Sequence, residues 1–179
     1  MKGLFVQPQT GASDLYRRIW SENKGDSKNI RMLIHPVWRE FEPYSDKKFV
    51  DEIQKNFDGC FWEMYLTVLM IKDGLAVDSK DHGPDIKLEE EGAVVWVEAI
   101  SASNGQNIPE KFTEEFLITR ITSALKEKKD KYLAYIEDGT IKTDEPYIIA
   151  VNISQIGDLQ SRNKSLMLKS IFPINDEVL

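Results

Sequence analysis

Asp85 and Glu98 stand at opposite ends of a stretch, Gly83 to Ile100, whose pattern is that of a β-hairpin. A short strand opens at Asp85, a Glu-Glu-Glu-Gly turn follows, and a longer strand returns from Ala93 to Ile100. Such a hairpin can set the two carboxylates side by side, and paired carboxylates at adjacent strand ends make a site for a hard cation. The returning strand, AVVWVEAI, is apolar on both faces, and Glu98 is its one charge. A carboxylate in such a strand is costly unless a cation, a metal or a proton compensates it. The same is true of Glu63, the one charge in the apolar run from Cys60 to Ile71. Blander readings stand beside these: Pro84-Asp85 as an ordinary turn, Glu98 partnered by a buried Arg or Lys, and Glu63 on a narrow exposed edge.

The elements that must position these groups follow from periodicity and breakers. Asp46 can cap a helix over 47–72, amphipathic in its first half and apolar nearly all round in its second. Gly74 ends it, and a first strand is expected near 75–79. After the hairpin a polar loop, 101–107, precedes Pro109 and Glu110, which suit the first turn of a helix over 109–138 that Gly139 stops. PYIIAVNI, 146–153, reads as a buried strand. Upstream, 14–20 suggests a short helix, 21–29 a loop, and 30–34 a strand ended by His35-Pro36. His35 and His82 read as loop residues rather than ligands. The tail, 163–179, reads as a final strand or short helix, serving as an edge element or a dimer contact.

The order helix, three strands, helix, strand, together with Pro84-Asp85 and Glu98-Ala99, resembles the core of the PD-(D/E)xK nuclease superfamily. The resemblance implies an α/β (α+β) restriction-endonuclease-like fold, a mixed central sheet flanked by helices (αβββαβ). It spans roughly residues 57–153. It also implies a metal site in which Asp85, Glu98 and the carbonyl of Ala99 hold magnesium or manganese, with Glu63, on the helix before the hairpin, as third carboxylate. The chain departs from the family at Ile100, where a lysine is usual. Some members carry that lysine on the following helix. Here the apolar stripe Phe112, Phe116, Ile121, Leu125, Tyr132, Tyr135 takes Lys128 with it and leaves Lys126 and Lys129 toward solvent. Arg120 shares a row with Lys128 at i, i+8. The run Arg120, Ser123, Ala124, Leu125, Lys128 is similar to one in bacterial members of unassigned function. On this reading Lys128 is the catalytic lysine and Arg120 a phosphate ligand. The alternative is that KEKKDK is a solvated face from which Lys128 snorkels.

Composition bounds the rest. The 179 residues suit a single domain, 1–179, with its core about 47–153, an N-terminal extension 1–46 and a C-terminal element 160–179. No apolar run approaches a membrane span, and the first residues lack a signal-peptide core. One cysteine, Cys60, excludes an internal disulfide and fits a reducing, cytoplasmic setting. A net charge of -7 argues against a basic nucleic-acid coat, while leaving room for a local groove beside a metal. The expected function is a metal-dependent nuclease acting on nucleic acid, DNA first among substrates. The alternative is a catalytically inactive nuclease-fold binding or regulatory module, which Ile100 and the acidic charge favour. A homodimer through the tail is the partner expected beside nucleic acid.

Overall fold

A computed structural model describes residues 3–21, 25–78, 82–105, 109–110, 112–156 and 166–172. The chain is mixed α and β, with a four-stranded mixed sheet flanked by helices. It divides into two compact units: residues 1–99 with 143–148, and residues 100–142 with 149–179. Among the described residues no helix is long and apolar enough to cross a membrane.

The first unit begins with helices. In α1 (Asp14–Ser21) Tyr16 and Ile19 are buried, and in α2 (Asp26–Phe41) Ile34, Trp38 and Phe41 are. The strand expected at 30–34 is therefore part of a helix. The spacing of Ile34, Trp38 and Phe41 is helical, and Pro36 lies inside α2 instead of ending an element. The hydroxyl of Tyr16 accepts from the Val6 N–H at 3.0 Å, tying the segment before α1 onto it. The N-terminal extension thus supplies much of the core, with Leu4, Tyr16, Ile19, Trp38 and Phe41 packed around Ile53, Met64 and Val68.

The long helix expected over 47–72 is two helices, α3 (Phe49–Lys55) and α4 (Phe57–Lys72). Asn56 leaves helical geometry at φ -125 and ψ 70, and its side chain accepts from the Gly59 N–H, capping α4. Asp46 caps neither helix. Its carboxylate instead accepts from the Lys48 N–H at 2.7 Å in a local turn.

The sheet order is β1 (Val77–Asp78), β2 (Ile86–Glu90), β3 (Ala93–Ser101), β4 (Tyr147–Asn152). The hairpin is in place, with Ile86 opposite Val97 and Glu90 opposite Ala93. In the first unit the Trp96 N–H donates to the Pro146 carbonyl at 2.9 Å, and in the second the Ala102 N–H donates to that of Asn152 at 2.8 Å. Both bonds advance together along the two strands, so β4 runs parallel to β3.

In the second unit α5 (Glu114–Glu137) begins later than Pro109 suggested, because Thr113 caps it by accepting from the Phe116 N–H at 3.2 Å. Leu117 and Ile121 of α5 pack with Ala102, Ile156 and Leu166. Within the tail, α6 (Leu166–Ile171) is a short helix, and the half-buried Lys169 donates to Glu114 at 2.6 Å. The rest of the tail, 163–165 and 173–179, lies outside the described residues.

Candidate functional site: an acidic cleft at the mouth of the hairpin

The first unit holds a cleft of about 110 Å³ where the hairpin opens. Its walls include Glu63 and Thr67 from α4, Glu52 from α3, Asp46 from the turn before α3, Val77 and Asp78 of β1, and His82, Gly83 and Asp85 from the loop entering β2. The break at Asn56 is what lets α3 and α4 both contribute. In one straight helix Glu52 and Glu63 would stand eleven positions apart, about 16 Å along the axis. Glu63 is half-buried rather than on an exposed edge. The floor beside it is fixed by the buried face of α4, Cys60, Met64, Thr67 and Val68, while Tyr65 and Leu69 of the same helix are exposed, so the all-round burial expected from its apolar sequence is not observed.

Asp85 sits one residue before β2. Carried one step past Ile86–Val97, the hairpin register sets it opposite Glu98. Its carboxylate accepts from the backbone N–H of Ala99 at 2.7 Å. One carboxylate oxygen is therefore anchored to β3, and the side chain holds a defined orientation at the cleft. Glu98 is fully buried in β3, as a strand covered on both faces requires. Trp96, two residues earlier, donates from its indole N–H to Glu145 at 2.8 Å and helps pin this part of the strand.

The carboxylates act on one another's surroundings. The Cys60 thiol is held well above its ordinary range, first by burial, then by Glu63, Glu52, Asp85 and Asp46. Four of the five carboxylates lining the cleft thus press negative potential onto one thiol. That field attracts a divalent cation and, without one, repels a phosphate.

The expected set is only partly gathered. Glu63 and Asp85 share the cleft, Glu98 lies in the adjoining strand, and Asp46, Glu52, Asp78 and His82 line the same wall although sequence reasoning gave them no part. His82, which reads as a loop residue in the sequence, lines the cleft, and its closeness to Pro84-Asp85 is the signal that could have placed it there. Among the described residues no group of three or more His, Cys, Asp or Glu side chains is disposed to hold a metal ion. A closed three-ligand cage is absent there. The donors still fit magnesium or manganese in kind, because these ions take oxygen ligands and keep several waters while leaning on one or two carboxylates. At about 30 Å³ per water, the cleft has room for a cation with part of its water shell.

Arg120 and Lys128 belong to the second unit. The Arg120 side chain donates from Nε to the Ser103 carbonyl at 2.9 Å. Its guanidinium packs against Gly105, which adopts a left-handed φ of 74, and a Cβ there would fall 2.9 Å from the guanidinium carbon. Arg120 thereby holds the polar loop after β3. Lys128 is half-buried on α5 whereas Lys126 and Lys129 are exposed, and Lys126 pairs with Asp130 at 3.3 Å. The helical phase read from the sequence is the one observed. Of the loop amides, Asn104 has a buried carbonyl oxygen that meets no hydrogen-bond partner among the described residues, and Gln106 lies outside them.

No family model matches the chain, and neither a curated protein nor a solved structure resembles it significantly. The functional reading therefore rests on the residues and geometry described above.

Proposed function

We propose that this chain is a magnesium- or manganese-dependent nuclease that hydrolyses phosphodiester bonds of nucleic acid, DNA first among substrates. The observation that supports it most is the placement of Asp85. It stands at the mouth of the hairpin with one oxygen anchored by the Ala99 N–H, on the same cleft as Glu63. An anchored carboxylate beside a second one is a preorganised hard-cation locus. In this reading Asp85 and Glu63 hold the ion, with Glu98 and the Ala99 carbonyl as the neighbouring donors in β3. The bound metal would supply charge neutralisation and a more acidic water. Asp85, held by the Ala99 N–H, would orient that ion. Lys128 is assigned the part of the lysine that Ile100 cannot play, and Arg120 that of a phosphate ligand.

The acidity of the cleft favours a second reading, a nuclease-fold binding module that has lost catalysis. Ile100 offers no charge at the position where the family has one, and five carboxylates line the wall. Only the nuclease reading requires the metal. Adding magnesium or manganese to the purified chain should raise its melting temperature by mass action on the folded state, and Asp85→Asn should remove that rise. An undiminished rise in the variant would place the metal elsewhere and overturn the nuclease site at Asp85.

A further inference from the structure

The face of the hairpin that carries Ile86 and Val97 is covered at one end and open at the other. Ile86 and Val97 are 1% and 0% exposed, but the next pair on that face, Leu88 and Val95, is only half-buried, and Ala93 is exposed. With Leu75 and Ala76 these residues line a groove of about 430 Å³, rimmed by Glu89, Glu90 and Glu91. Its volume lies within the roughly 300–1,000 Å³ of ligand-binding clefts. The groove lies in the first unit, apart from the residues assigned to the metal, and borders β1, which among the described residues is an edge strand of the sheet.

We infer that this groove docks an extended segment of a partner protein that alternates apolar with Lys or Arg side chains. The apolar floor calls for apolar side chains, and a sheet edge accepts an extended backbone. The rim supplies the sign of the charge. Lys87 already compensates Glu89, at 2.9 Å, and Asp78, at 3.0 Å, from within the sheet. Glu90 and Glu91 stand beyond it at the exposed hairpin end, where a partner's cations meet them. A second copy of this chain is disfavoured, because a two-fold contact here sets one acidic rim against another. Nucleic acid is repelled for the same reason.

The test titrates the full chain with two labelled ten-residue peptides, alternating Lys-Val and alternating Lys-Ser, read by fluorescence anisotropy. Saturable binding of the Lys-Val peptide, at least tenfold tighter than that of Lys-Ser, is expected. The double variant Glu90→Lys, Glu91→Lys should weaken it tenfold or more, and Val95→Thr, which removes apolar floor with little change of shape, should weaken it independently. Asp85→Asn should leave the peptide affinity unchanged, which separates this groove from the metal cleft. Equal affinity for both peptides would reduce the effect to charge attraction and overturn the inference. So would the absence of saturable binding, or a dimer in sedimentation that the charge reversal strengthens.

Discussion

Asp85 does two jobs that substitution can separate. Its carboxylate accepts the Ala99 N–H and contributes negative charge to the cleft. Asp85→Asn keeps an acceptor and removes the charge, so without metal the fold should lose little stability while the metal-induced rise in melting temperature disappears. Asp85→Ala also strands the Ala99 N–H, and should cost a further ~1–3 kcal/mol, the scale for an unsatisfied buried group. Chemical denaturation of both variants with and without metal measures the two roles. Cys60 gives a second test at this scale. Its folded pKa lies above the ordinary 9.0, so the buried neutral thiol contributes stability below pH 9 that is lost progressively as the unfolded chain ionises above it. Tyr16, also raised by burial, adds its own loss only from about pH 10 upward. Between pH 9 and 10 the wild-type denaturation midpoint should fall more steeply than that of Cys60→Ala. Parallel curves would remove the thiol from the account. Residue types marked part of the cleft: Glu63, a lone carboxylate in an apolar helix, and Asp85 at the mouth of the hairpin line it, while Glu98 lies in the adjoining strand. Asp46, Glu52, Asp78 and His82 were not legible, since each lies in a polar run where a solvated residue looks no different.

At the scale of elements, the hairpin turn carries a local cost. Glu90 pairs with Ala93, leaving Glu91 and Gly92 as a two-residue loop, and Glu91 adopts φ 52 where glycine, asparagine or aspartate is at ease. Glu91→Asn should therefore stabilise the fold by up to about 1 kcal/mol and raise the melting temperature by about 2–4 °C. No rise, or a fall, would show that the glutamate side chain makes a compensating contact. The hairpin itself was legible because alternation and the Glu-Gly turn agree. The helix ends were less so. Asn56 interrupts 47–72 within an otherwise helical pattern, and Thr113 outcompetes Pro109 as a start because its hydroxyl can satisfy an exposed N–H. The segment 30–34 is a short apolar run that fits strand or helix alike, and only the later Trp38 and Phe41 decide it.

For the whole molecule, charge and division into units set the terms. A net charge of -7 on 179 residues repels nucleic acid at long range, so the proposed function requires its affinity to come from a metal ion held in the cleft and from local basic side chains. Lys128 is the cation assigned to catalysis. Lys128→Ala should cut nuclease activity by about a hundredfold or more while leaving metal binding intact. Lys126→Ala, which loses only an exposed pair with Asp130, should change stability by less than about 0.5 kcal/mol and activity little. The reverse pattern would contradict the helical phase. From α4 to β4 the element order was legible in the sequence, because breakers and periodicity punctuate it, whereas residues 30–34 were not. The division into two units was not, since it depends on which buried faces meet. The measurement that bears most directly on the central claim is cleavage of single- and double-stranded DNA and RNA by the purified chain with magnesium, manganese or chelator, beside Asp85→Asn. The account predicts cleavage that requires metal and is lost in the variant. Cleavage that persists in chelator or in Asp85→Asn, or metal binding at Asp85 with no cleavage of any substrate, would contradict it.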